Sequence, residues 1–221
     1  FKTSSTPPIM IGQIQILDII DIESARIDLE EKKQSILIKA NEVGGSIVKR
    51  GGGAVDIQIR AIEHPIAGSM LILHLHYDCR DAMGANAINT ALEHIAPMIE
   101  KITRGRVNLK ILSNLSTERR AFATGMILAN SLKRHDLSGN AVASAIVEAG
   151  ILAEIDPYRA TTHNKGIMNG IDAVVLATGN DWRAVEAGAH AFAARHGTYR
   201  SLTKWWQDEA GNLHGSIDVP L

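Results

Sequence analysis

The 221-residue chain has little of several things, and each scarcity excludes a class of function. Cys79 is its only cysteine, so no internal disulfide can form, and a lone thiol fits a reducing cytoplasm. Such a residue more often fills a core as a small hydrophobe than acts as a nucleophile. Neither sign of charge prevails: 23 Lys and Arg stand against 24 Asp and Glu, a net charge of −1. With no basic run, nucleic acid is not expected as a partner. Aromatic residues make up 4% of the chain, and the strands expected in its N-terminal half carry only Tyr77, too few to stack RNA bases. No apolar run approaches a membrane span, so the chain reads as soluble, with no membrane partner. There is no internal repeat and no low-complexity tract. The chain begins at Phe1 without Met or a signal-like region, which reads as an incomplete chain. What it does have is core material, with 45% apolar residues, enough for one or two domains.

Residues 1–8, with Thr3, Ser4, Ser5, Thr6, Pro7 and Pro8, read as a linker. Apolar periodicity then predicts a strand in 9–20 and a helix over 24–43, broken off by Gly44, Gly45 and Gly51–Gly53. Period-two alternation in 55–62 and 70–77, with Pro65 and Gly68 between, predicts a hairpin. An amphipathic helix follows over 84–101 and a strand over 107–112. This order, βαββαβ, is the ferredoxin-like pattern, an antiparallel sheet with both helices on one face, and it sets a domain at 9–113. From 114 to 221 the pattern changes: helices over 117–133 and 139–154, the second capped by Ser138; a strand at 173–177; a helix carrying Trp182, Val185, Ala189 and Phe192; and a hairpin of 202–206 with 213–219. The fold class is α+β.

The densest chemistry lies in Asp156 to Asp172 and in Ala177 to Arg183. Guanidinium, ammonium, amide and carboxylate groups gather there around glycines, where a backbone can come close to a ligand. Arg159 offers a fork suited to a carboxylate, and Lys165 a compact charge able to polarise a carbonyl. Asp181, placed by this reading where a strand hands over to a helix, would stay ionised at the helix N-terminus and neutralise Lys165 or exchange protons with it. The same residues would also serve as a plain structural ion pair with a surface arginine. A second signal is Asp81-Ala82-Met83-Gly84-Ala85-Asn86, a small-residue turn opening a helix, where free N–H groups and the helix dipole suit a pyrophosphate and Asp81 could cap. It is not a Rossmann GxGxxG. His74 and His76 have metal-ligand spacing on one strand face, but no third ligand is placed beside them, so no metal site is expected and a solvated face is the better reading. His163 beside Lys165 and His190 after Asp181 read as packed histidines. Of the adjacent Trp205 and Trp206, one should face the core and the other a partner or ligand.

The strings His163-Asn164-Lys165-Gly166-Ile167-Met168-Asn169-Gly170-Ile171-Asp172 and Ala177-Thr178-Gly179-Asn180-Asp181-Trp182-Arg183 resemble the active-site region of class II hydroxymethylglutaryl-CoA (HMG-CoA) reductases, and Asp81-Ala82-Met83-Gly84 resembles that family's dinucleotide signature. The resemblance covers essentially the whole chain. It implies Lys165 and Asp181 as catalytic residues, Arg159 and Asn169 as substrate-binding, and Asp81, Ala82, Met83, Gly84, Ala85 and Asn86 as cofactor-binding on a small NAD(P)-binding domain. Residues 114–221 would belong to a larger domain that binds HMG-CoA and dimerises. The implied reaction converts HMG-CoA to mevalonate and CoA with two NAD(P)H, through a hemithioacetal and mevaldehyde, or runs in reverse, in a cytoplasmic homodimer or an oligomer of dimers. A catalytic Glu before the region of Phe1 and a catalytic His after Leu221 are also implied, and neither is in this chain. Where one NADH-using form carries an acidic residue, this chain has Gly44, with Glu42, Lys49 and Arg50 nearby, so NADH versus NADPH stays open. A non-catalytic nucleotide- or CoA-binding module, and a lyase using Lys165 as a Schiff-base nucleophile, remain as alternatives.

Overall fold

Strand β1 (Lys2–Ser5) occupies the segment expected to be a linker. It pairs antiparallel with residues 121–124, and that pairing overrides its Ser/Thr-rich, turn-like composition. The structure, a computed structural model, describes all of residues 1–221. It comprises two units, one of residues 7–118 and one of residues 1–6 with 119–221.

In the first unit, β2 (Ile9–Leu17) is followed by α1 (Ile22–Glu31), α2 (Lys33–Asn41) and the short α3 (Gly45–Lys49). The single helix expected over 24–43 is thus two, parted at Lys32, whose ψ of 8° leaves the helical region. Each half buries its own set, Ala25 and Leu29 in one and Ile36, Leu37 and Ala40 in the other. The hairpin of β3 (Gly53–His64) and β4 (Gly68–Asp78) turns through Pro65–Ala67. There the His64 ring nitrogen Nδ1 accepts from the backbone N–H groups of Ile66 and Ala67, both at 3.2 Å. Helix α4 (Ala85–Thr103) and β5 (Arg106–Ser113) complete the unit. The sheet order is β3-β4-β2-β5 with every pair antiparallel, which is the ferredoxin-like topology. Alternation explains the core: Ile14 and Ile16, with Leu71, Leu73, Leu75 and Tyr77, are fully buried against Leu29, Ile36, Ile88, Leu92, Ile95 and Ile99. Burying a dozen such side chains, at about 1.5–3 kcal/mol each, is the main stabilising term for this unit.

The second unit holds a sheet of order β1-β6-β8-β7, all antiparallel, built from β1, β6 (Arg120–Ile127), β7 (Thr203–Gln207) and β8 (Leu213–Pro220). The helix expected over 117–133 is therefore wrong. Arg120–Ile127 is a strand held from both sides by β1 and β8, and Ala129–Leu132 is one 3-10 turn. Its Ala, Thr and Gly content carries no strong local preference, so non-local pairing decides. Helices α5 (Gly139–Ile155), α6 (Pro157–Ala177) and α7 (Trp182–Ala193) follow. Ser138 caps α5 as expected, its Oγ accepting from Ala141 N–H at 3.2 Å. The strand expected at 173–177 is the last part of α6. An apolar run of that length fits either state, and no strand lies beside it to pair with. No helix of the chain is long and apolar enough to cross a membrane.

Candidate functional site

Helix α6 is set by its start. Asp156 is the N-cap, its Oδ2 accepting from Arg159 N–H at 2.9 Å, and Pro157 takes the first helical position, where a missing N–H costs nothing. Its buried stripe is Ala160, Asn164, Met168 and Val175. Asn164, fully buried, is the anchor: its Nδ2 donates to the Arg200 carbonyl at 2.8 Å and its Oδ1 accepts from Leu202 N–H at 2.9 Å. Nothing in the sequence singles out Asn164 for this role, because its partners lie 36 and 38 residues away.

Fixing that stripe inward turns the opposite side outward. Lys165 and Asn169, four residues apart, share one exposed face. Gly166 and Gly170 lie beside them, and a Cβ added at either would meet nothing within 4 Å. The outcome is a shallow, side-chain-free strip next to an ammonium and an amide that no other group of the chain engages. Arg159, half-buried in the first turn, also has no carboxylate partner.

Asp181 lies between two helices, not between a strand and a helix. It caps α7, its Oδ1 accepting from Ala184 N–H at 3.1 Å, and it forms no ion pair with Lys165. The plain structural pairing of those two residues is therefore absent. Both remain on the surface, with Asp181 held by the cap and Lys165 unengaged.

The neighbouring histidines are structural. His163 Nε2 lies 2.7 Å from Thr203 Oγ1, and burial, with Arg159 adding to it, pushes its pKa below the usual value. His190 Nδ1 lies 2.7 Å from the Tyr199 hydroxyl. In the hairpin, Trp205 packs on Gly150 and Gly215 and donates through Nε1 to Thr203 Oγ1 at 3.1 Å. Trp206 is exposed and stacks on His214, with ring centroids 5.5 Å apart.

In the other unit, Asp81 does not cap α4. The N-cap is Gly84, at φ 89° and with no side-chain hydrogen bond. Its missing side chain is needed twice over: that φ suits only glycine, and a Cβ there would collide with Cys79 Sγ and come within 2.7 Å of Met10 Sδ. The glycine thus packs inward onto the buried Cys79, while Asp81, Met83 and Asn86 are exposed. The first N–H groups of a 19-residue helix are left without a side-chain acceptor. With a positive dipole end behind them, these donors fit a pyrophosphate. Gly44, at the point where cofactor preference is in question, is closed in: a Cβ would run into Val48 and lie 3.0 Å from the Tyr77 hydroxyl. Glu42 is held by Lys39 at 2.6 Å and His94 at 2.9 Å, and both hydrogen bonds keep its pKa low. His74, on the open sheet face, is half-buried and not solvated as expected. It is hydrogen-bonded to Gln13 Nε2 at 2.9 Å, and burial is the main reason its pKa falls.

Comparison with known proteins places the chain. The sequence model of the hydroxymethylglutaryl-coenzyme A reductase family matches residues 1–221. A 3-hydroxy-3-methylglutaryl-coenzyme A reductase of Archaeoglobus fulgidus is 46% identical over 221 residues, covering 100% of this chain and 49% of its own length. One from Pyrococcus horikoshii is 26% identical over 183 residues, 74% of this chain and 44% of its own. Among solved structures, the class II enzyme from Streptococcus pneumoniae bound to NADPH in open conformations superposes with a TM-score of 0.94 at 42% identity, covering 99% of this chain and 52% of that one. The chain spans about half the length of the curated relatives it matches.

Proposed function

The chain belongs to the hydroxymethylglutaryl-coenzyme A reductase family, and on that premise we propose that the protein is a cytoplasmic oxidoreductase interconverting HMG-CoA with mevalonate and CoA at the expense of two NAD(P)H. The observation that carries this reading is the exposed face of α6, where Lys165 and Asn169 stand unengaged beside two glycines that leave room for a ligand. Residues Asp81 to Asn86 at the start of α4 are the proposed holders of the dinucleotide, which when bound supplies hydride. The protein's own task is then to stabilise the oxyanion that forms at the substrate carbonyl. Lys165 is the cation for it, an effect on the order of 3 kcal/mol for one well-placed donor. Asn169, one turn along the same face, orients the Lys165 ammonium. Arg159 presents its guanidinium to the substrate's free carboxylate. Asp181, already fixed by its capping bond, supplies a stationary negative charge toward which Lys165 can move once substrate is bound.

A homodimer is the assembly we propose. On the Lys165 side of α6, Tyr158 and Leu176 are 89% and 58% exposed, and Ile155 at the end of α5 is 70% exposed; such apolar groups suit burial against a second subunit.

The test is absorbance at the reduced-nicotinamide band, with full-length protein, HMG-CoA, and NADH or NADPH in parallel. Two cofactors oxidised per CoA released is the expected result. No oxidation with either cofactor, from protein that still binds both ligands, would leave the binding module as the better account. Borohydride trapping of an adduct on Lys165 would favour the lyase.

A further inference from the structure

The strongest chemistry left unassigned lies where the C-terminal end of α7 faces β7 and β8. A cavity of about 230 Å3 there is lined by Phe192, Arg195, Ser201, Lys204, Ser216 and Asp218, among others. Its charges do not cancel. Asp218 is neutralised by Arg120, whose Nη1 donates to Asp218 Oδ2 at 2.8 Å. Arg195 and Lys204 have no carboxylate of their own, so the cluster carries two surplus positive charges. Arg195 is also held in place: its guanidinium lies 3.5 Å from the Phe192 ring centroid, and Nη1 donates to the Phe192 carbonyl at 2.7 Å. Burial lowers its pKa, and Arg120 adds to that more weakly than Asp218 opposes it.

One acceptor in the cluster is unused as well. Asp218 Oδ1 is buried with no hydrogen-bond partner, as is the donor Arg120 Nε of the same pair, and a buried acceptor is unfavourable unless something donates to it. A fully deprotonated anion would be attracted by the two cations but repelled by this carboxylate. An oxyanion that keeps one proton satisfies both.

We propose that this cavity binds monohydrogen phosphate, with its deprotonated oxygens toward Arg195, Lys204 and the Ser216 hydroxyl and its P–OH donating to the Asp218 carboxylate. The pairing sets selectivity. Sulfate has the same shape and charge but no proton to donate at neutral pH. A phosphate monoester, with a second pKa near 6, has largely lost its proton too. The site therefore distinguishes free phosphate from the ester phosphates of nucleotide ligands.

The experiment is a 31P NMR titration of the full-length protein with inorganic phosphate, followed by competition with sulfate. Saturable line broadening is expected, with sulfate weaker by at least about tenfold, the cost of facing a carboxylate without a donor. Lys204→Gln, an exposed change, and Arg195→Gln should each weaken phosphate by roughly tenfold. Asp218→Asn should bring phosphate and sulfate to similar strength, since an amide can donate where the carboxylate cannot. Sulfate displacing phosphate as well as phosphate itself would overturn the proposal, as would broadening unchanged in Lys204→Gln and Arg195→Gln, or no saturation by about 10 mM, a standard free energy near −2.7 kcal/mol. If Asp218→Asn fails to fold for want of the Arg120 partner, the competition in the unaltered protein still decides.

Discussion

Lys165 and Asn169 stand one helical turn apart on the open face of α6, with neither side chain engaged by another group of the chain. A substitution there removes chemistry without removing packing. Lys165→Ala should therefore reduce turnover by at least about a hundredfold while the midpoint of thermal unfolding stays nearly fixed and NAD(P)H binding is kept. Steady-state assays, calorimetry and cofactor titration on the same preparation check the three parts. A large loss of cofactor affinity would count against the role given to Lys165.

Gly84 tests the other unit. At φ 89°, and directly against Cys79 and Met10, alanine is both strained and overcrowded. Gly84→Ala should destabilise residues 7–118 by about 2–4 kcal/mol and weaken NAD(P)H binding by displacing the first N–H groups of α4. Denaturant unfolding followed through this unit, together with cofactor titration, measures both effects. Binding unchanged in a folded variant would remove the start of α4 from the cofactor site.

How far the sequence reveals this arrangement depends on where each element gets its stability. The β3–β4 hairpin is legible because residues 55–62 and 70–77 alternate at period two and the turn lies between them, all local information. Strand β6 is not. Ala121, Ala123, Thr124 and Gly125 show no preference, and its partners Lys2–Ser5 and Leu213–Pro220 lie far along the chain. The end of α6 is a subtler case. Val174 and Val175 suggest a strand, and what identifies the helix is the Asp156-Pro157 start, some twenty positions earlier. The residue types at the site are readable through their resemblance to the reductases, yet the placement of Arg159, Lys165 and Asn169 on a single continuous helix is not. The Arg120–Asp218 pair, separated by 98 positions, leaves no sequence signal.

Asn164 shows what holds that helix in place. Replacing it with alanine would leave the Arg200 carbonyl and the Leu202 N–H without the partners found 2.8 and 2.9 Å away. Asn164→Ala should cost about 2–4 kcal/mol, from a buried Leu202 N–H and a part-buried Arg200 carbonyl left unsatisfied. Asn164→Asp should cost at least as much at neutral pH, because it keeps the acceptor for Leu202 but sets a buried carboxylate oxygen against the Arg200 carbonyl. Equilibrium unfolding in urea ranks the three proteins, and equal stability would dismiss the clamp.

His163 makes this same region sensitive to acid. Its pKa is lowered in the folded chain, first by burial and then by Arg159, so between the folded value and the unfolded value of 6.5 the unfolded chain binds more protons than the folded one. Stability therefore rises with pH through that window, is fully present above about pH 6.5, and falls as the pH drops below it. His74 has the same sign, chiefly from burial, and acts in the other unit. Unfolding midpoints measured from pH 7.5 down to pH 5 should fall, and His163→Gln, which keeps a polar side chain near Thr203 but cannot take up a proton, should flatten part of that slope. An unchanged slope in His163→Gln would mean that the Thr203 contact accommodates the charged ring, and that the acid sensitivity of this unit arises elsewhere.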